Sequence, residues 1–482
     1  MSLSKFMVKK SIAAIQAESQ KGELKRTLSA LNLISLGIGC IIGAGIFVMT
    51  GQAAAEYAGP AIMISFVIAG LCCAFAGLCY AELSSMLPVS GSAYSYAYAS
   101  VGELLAWIMG LLLLLEYGIA ASTVAVGWSG YVVSFLKNFD IIIPAVLTTP
   151  TLQIINDGKD IIFTGGINLP ALFGVGAMAS LLVIGIKESA NINNIIVLIK
   201  LAVVLLFIIF GAFYVDTANW HPFIPEETSE GNYGWSGILR GAGIVFFAYV
   251  GFEAVSTAAQ EAKNPQRDIP IGILGSLAVC TILYMAVAAV LTGIVPYSTL
   301  NVPDPIAKAV DAINLPWLSF VIKIGAIAGL TSVMMVLMYG QTRVFYTMAK
   351  DGLMPAIFSK VHPKFHTPYI NTIVVGLVIG LVAATTPISI LGDLVSLGTL
   401  TAFAIICFTV LYLRKAEPEL ARPFKVPFSP FFPILGILFC GYLIYGLLSN
   451  PVTVIFYLVY LTIGLAIYFA YSQNHSKLRH NP

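Results

Sequence analysis

Three ionisable residues stand inside stretches that are otherwise apolar. Lys200 follows Ile195-Ile196-Val197-Leu198-Ile199 and precedes Leu201-Ala202-Val203-Val204. That is about nine residues, and so about 13 Å at helical rise, from the start of its segment. An ammonium at such depth is expensive unless partnered, so a proton is the natural thing for it to exchange. The alternative role is a structural lysine tied to backbone carbonyls. Glu116 sits about fifteen residues into its own segment, near the middle of a membrane crossing. It either attracts a cationic ligand group or holds a water network. Glu253 either carries a proton or pins unwound backbone.

Glycines suggest where backbone is unwound. Gly37-Ile38-Gly39-Cys40-Ile41-Ile42-Gly43-Ala44-Gly45 puts four glycines into a hydrophobic stretch, and Gly241-Ala242-Gly243-Ile244-Val245-Phe246-Phe247-Ala248-Tyr249-Val250-Gly251 is a second such stretch. Lipid cannot satisfy bare backbone, so an interrupted helix persists at membrane depth only where the freed groups line a cavity or meet a ligand. Close helix packing is the other use of such glycines. Two interrupted segments in corresponding positions of two halves favour a transport site. A half-helix beginning at Gly43-Ala44-Gly45 presents N–H groups suited to a carboxylate. Half-helices ending near Ile41 and Phe247 present carbonyls suited to an ammonium, and one α-amino acid meets both sets. With Ala248 beside Phe247, these residues are the expected substrate site.

Other chemistries lack their residues. None of the seven cysteines forms a CxxC pair, and His362 and His366 flank Pro363. Neither a metal site nor a disulfide framework is expected. The Gly37-x-Gly39-x-x-x-Gly43 spacing misses the dinucleotide fingerprint, and no HExxH or GxSxG motif points to an enzyme. Met334, Met335 and Met338 offer either an adaptable pocket wall or simple packing.

The elements that must position these residues are membrane spans. Hydrophobic residues make up 58% of the 482-residue chain, charged residues 10%, and mean hydropathy is +0.90; soluble domains carry about 25% charged residues. The net charge of +2 and the absence of basic runs beyond Lys9-Lys10 and Lys25-Arg26 exclude a nucleic-acid partner. Apolar segments of crossing length are predicted near 30–56, 61–87, 101–135, 169–186, 192–214, 236–261, 270–294, 317–348, 369–386, 391–413, 428–448 and 452–472. Twelve spans leave both termini on one side. Basic residues gather there, from Lys5 to Arg26 and from Lys187, Lys263, Arg267, Lys350, Lys360, Lys364, Arg414, Lys415, Arg422 and Lys425 to Lys477 and Arg479. The other face has Lys137, Lys159 and Lys308 in loops. Both termini are therefore expected in the cytoplasm. Glu56, Glu82 and Glu103 read as solvating helix ends, and the loops 136–168 and 215–235 as ordinary surface connections.

With these residues in place, the chain resembles the amino acid-polyamine-organocation (APC) superfamily, and within it the cationic amino acid transporter branch and its bacterial ApcT-like relatives. The matching stretches are Leu24-Lys25-Arg26-Thr27-Leu28, Gly37 to Gly51, Gly91-Ser92-Ala93-Tyr94, Val101-Gly102-Glu103, Lys187-Glu188-Ser189-Ala190, Glu261 to Ile273 and Ala349-Lys350-Asp351-Gly352-Leu353. The resemblance implies an all-α polytopic fold, a LeuT-like five-plus-five inverted repeat with broken spans 1 and 6. It implies a core over 28–413, two further spans over 414–472, and cytoplasmic segments at 1–27 and 473–482. It also implies alternating access, with substrate held by Gly43, Ala44, Gly45 and the carbonyls of Ile41, Phe247 and Val250, and with Phe247 as an aromatic gate. Lys200 then stands in for a sodium ion, reaching span 1 and a place near Thr331 and Ser332 of span 8. Animal members of the branch generally lack this lysine, which favours proton coupling over uniport. The expectation is proton symport of small neutral or cationic L-amino acids across the plasma membrane, without sodium or another cofactor. The lipid bilayer and the amino acid are the partners; the oligomeric state is left open. An amino acid exchanger, a polyamine antiporter and a sensor that binds without flux fit the same residues.

Overall fold

A computed structural model describes residues 8–9, 28–87, 92–155, 160–185, 190–229, 231–258 and 261–480. Most of the N-terminal segment, with the motif residues 24–27, Gly91 and 187–189, lies outside this set. Among the described residues, eight helical stretches are long and apolar enough to cross a membrane, and four shorter apolar helices accompany them.

In chain order α1 (Ala30–Ile41) stops at a break, after which a helical run from Gly45 to Ala58 includes two π-helical turns. Gly59, at φ 57, interrupts this run ahead of α2 (Ile62–Met86). Then come α3 (Ser92–Ser100), α4 (Glu103–Lys137), α5 (Leu169–Ile184) and α6 (Ala190–Gly211). The second broken element starts with α7 (Gly234–Val245), tightens into a 3-10 turn (Phe246–Tyr249) and resumes at Ala254–Thr257. It is followed by α8 (Pro265–Ile294), α9 (Pro305–Ala312), α10 (Pro316–Lys350), α11 (Tyr369–Thr385), α12 (Ile388–Ala416), α13 (Phe431–Leu447) and α14 (Pro451–Ile467).

Local chemistry sets the helix starts. Ser29 caps α1 by accepting from the Asn32 amide. Asn168 caps α5, and Asn450 caps α14, in the same way. At α8, Pro265 takes the first turn while Asp268 accepts the Asn264 amide at 3.0 Å. The long helix α4 runs through the core and packs against α10 and α12. Around the outside, Leu198 on α6, Leu377 and Leu381 on α11, and Ile455 and Leu458 on α14 are all more than half exposed. Apolar surface on this scale calls for a lipid surrounding.

Two features depart from the sequence expectation. The 136–168 connection contains an antiparallel hairpin, Leu152–Ile155 against Asp160–Phe163. Two of the acids expected to solvate helix ends are instead buried in ion pairs. Glu82 accepts from Arg414 Nε at 3.0 Å and from the Val426 amide at 2.7 Å. Glu103 is fully buried and accepts from Arg479 Nε at 2.7 Å, from the Tyr468 hydroxyl at 3.0 Å and from Ser476. The Glu103 amide donates to the Val8 carbonyl at 3.0 Å and the Lys477 amide to that of Asp351 at 3.1 Å. Both described chain ends are thereby held on one face.

Candidate functional site

The two breaks meet. α1 ends where Ile42 takes φ −71 and ψ 102, and helical geometry restarts at Gly45. The amides of the turn after such a restart have no partners in their own helix, and the helix dipole makes that end positive. On the second element the 3-10 turn ends at Val250, φ −55 and ψ 131, and Gly251 follows at φ 113. A Cβ on Gly45 would lie 2.1 Å from Ala248 Cα, and one on Gly251 would lie 2.8 Å from the Cys40 carbonyl oxygen. Glycine at these two positions lets backbone touch backbone. The first two glycines of the first stretch serve packing. Gly37 seats the Ser276 side chain and Gly39 that of Val197, while α1 continues unbroken past both.

A residue that the sequence reading passed over joins the breaks. The buried Tyr284 hydroxyl of α8 lies 2.9 Å from the Ile41 carbonyl and 2.8 Å from that of Ala248. Ile41, expected to offer a bare carbonyl, thus shares it with a hydroxyl, and one lone pair stays available. On the far side of the break Tyr131 donates to the Phe47 carbonyl at 2.8 Å, and Thr50 Oγ1 to that of Gly45 at 3.1 Å. Among 22 tyrosines, nothing in the sequence distinguishes Tyr284.

All the expected substrate residues are buried. Ile41 closes α1, Gly43 and Ala44 occupy the break, Gly45 opens the next turn, Phe247 and Ala248 lie in the 3-10 turn and Val250 caps it. Lys200 is 2% exposed and its Nζ donates to the Gly39 carbonyl at 3.0 Å. Its methylenes pack on α10 at Gly329, where a Cβ would lie 3.0 Å from Lys200 Cγ. The Thr331 hydroxyl accepts from Trp128 Nε1 at 2.9 Å and donates to the Ile327 carbonyl at 2.7 Å. Ser332 is buried on the same helix. Glu253 Oε2 accepts the Gly251 amide at 2.9 Å, which ties this acid to the second break. Glu116, from α4, faces Glu253 and Thr399.

Two interrupted helices in backbone contact inside a polytopic apolar bundle, flanked by a buried lysine and two buried acids, define a membrane transporter rather than a receptor for a soluble partner. A family profile described as amino acid permease matches residues 28–471. The chain is 46% identical to the methylthioribose transporter of Bacillus subtilis over 99% of its own length and 100% of that protein's. It is 48% identical to the branched-chain amino acid permease of the same organism, covering 98% of both chains. A chloroplastic cationic amino acid transporter of Arabidopsis thaliana is 39% identical over 82% of this chain and 68% of its own. The chain belongs to the amino acid permease family of the APC superfamily.

Proposed function

We propose that the protein is a proton-coupled permease for an α-amino acid with an apolar side chain, working by alternating access. The contact of Gly45 with Ala248 carries this reading. It puts the positive end of one half-helix beside the carbonyls of another, a combination that matches a carboxylate and an ammonium on one carbon. Glu116 stands beside Glu253, so it does not act on a substrate alone. The choice of a neutral side chain follows the name of the branched-chain relative. Lys200, bound to the Gly39 carbonyl in the last turn of α1, is the proposed proton carrier. Charged, it holds α6 to α1; neutral, it releases that contact and shifts the population towards the opposite-facing state. The helical stretches are proposed to compose twelve crossings, with Gly59-Pro60 dividing the run from Gly45 to Met86. The first ten would form an inverted repeat, and both termini would lie in the cytoplasm of a cell whose plasma membrane holds the protein.

Uptake into proteoliposomes tests the reading. Accumulation of a labelled branched-chain amino acid should follow an imposed pH gradient and ignore a sodium gradient. Dependence on sodium without response to pH refutes proton coupling. Lys200→Ala should abolish accumulation against a gradient. A second substrate class is suggested by the methylthioribose relative, since ribose hydroxyls also suit bare backbone groups. Competition by methylthioribose but not by leucine would establish that class instead.

A further inference from the structure

We propose that Glu116 and Glu253 form a buried acid pair that shares a proton and is a second proton site, separate from Lys200. The two carboxyls come from different elements, α4 and the segment after the second break. They are 1% and 2% exposed and lie close enough to act on each other directly. Each keeps one buried oxygen, Oε1, without a hydrogen-bond partner among the described residues. Thr399, fully buried on α12, faces Glu116. Ser396, one turn away on the same helix, has a buried unpartnered hydroxyl as well.

Two carboxylates that act on each other in a dry interior repel, and neither keeps its hydration. A proton between them removes the repulsion and fills a vacant oxygen, and such a pair titrates as one unit. Among the described residues, the titratable groups around Glu253 are mostly neutral ones. Cys40 faces Glu253 from α1, Cys73 and Tyr80 from α2, and Tyr117 from α4, all neutral groups in their protonated forms. Lys200 acts from α6, across Cys40.

Position gives the pair a function. Glu253 holds the Gly251 amide, Gly251 lies on the Cys40 backbone, and the neighbouring Gly39 carbonyl takes the Lys200 ammonium. Glu253 therefore holds the second break and Lys200 the last turn of α1, and separating these two elements alters the surroundings of both. As a proton site the pair stands by itself; as a coupling site it rests on the transport reading above.

Infrared difference spectroscopy on the purified protein tests the pair between about pH 6 and pH 9, where ordinary carboxyls stay ionised. Wild-type protein should lose a deuterium-sensitive carboxylic-acid band as pH rises, with or without sodium. The Glu116→Gln/Glu253→Gln double variant should lack that band, and Lys200→Ala should keep it. In each single glutamine variant the half-titration point should move by about one unit or more, a tenfold change in proton affinity. No band in wild type, a full band in the double variant, or removal of the band by sodium at constant pH each overturns the pair; the last would make it a cation site. These wild-type arms decide even if a variant fails to fold. Uptake by the double variant that follows the pH gradient as wild type does overturns the coupling role. Lys200→Ala protein that keeps the band while losing pH-driven uptake supports both sites; keeping both the band and the uptake removes Lys200 and leaves the pair as carrier.

Discussion

Gly45→Ala should uncouple the two breaks while leaving the rest of the bundle folded. A Cβ at this position would lie 2.1 Å from Ala248 Cα, 2.4 Å from Ala248 Cβ and 3.0 Å from Ala248 N. All three belong to a short residue held in a helical turn, so no flexible side chain can swing away. Ordinary contacts begin at 3.4 Å, and close-packed interiors do not absorb such an overlap, so the strands of backbone must part by about 1.3 Å. Inserting a methyl into a packed site costs about 1–3 kcal/mol. A substrate that bridges both breaks meets a widened gap, and if the cost falls on binding, affinity drops by about fivefold to 150-fold. Binding of a labelled branched-chain amino acid to purified protein measures this directly, with thermal unfolding alongside to report on the fold. Gly441→Ala is the matched control, since a Cβ there meets nothing within 4 Å. Wild-type affinity in Gly45→Ala would refute the contact between the breaks and, with it, the proposed site.

Four further outcomes follow from the structure. Gly251→Ala adds a Cβ 2.8 Å from the Cys40 carbonyl at a φ of 113, which disfavours side chains; uptake should fall at least as far as in Gly45→Ala, as measured by initial rates in proteoliposomes. Tyr284→Phe removes the single hydroxyl proton shared between the carbonyls of both breaks, a loss of about 1 kcal/mol; affinity or melting temperature should drop, and no change in either would deny Tyr284 its bridging role. Glu103→Gln should lower the melting temperature by several degrees, because it leaves the Arg479 guanidinium without its ion partner, 15% exposed, and removing one partner of a buried pair costs about 3–5 kcal/mol. Deletion of residues 476–482 should have a comparable effect in the same assay, and an unchanged melting temperature would contradict the anchoring of the tail on α4.

Much of this molecule was readable from residue order. Hydropathy is a local property, so the run of apolar segments and their lengths could be marked along the chain. Interruption is also local: glycines at Gly43–Gly45 and Gly251 show where two helices break, and a lysine at position 200 is conspicuous among isoleucines and leucines. What the order of residues leaves open is which group meets which. Gly37, Gly39 and Gly45 look alike in sequence, yet the first two seat side chains and Gly45 seats a backbone. Glu116 reads either as an acid awaiting a cationic group or as the holder of a water network until Glu253 and Thr399 are placed beside it. Tyr284 and Glu103 look unremarkable until folding brings Ile41 and Arg479 to them, across 243 and 376 residues. Membrane solvent fixes the class of such a chain residue by residue. The pairing of its buried polar groups follows only from packing, because each must find a partner that no neighbour in sequence supplies.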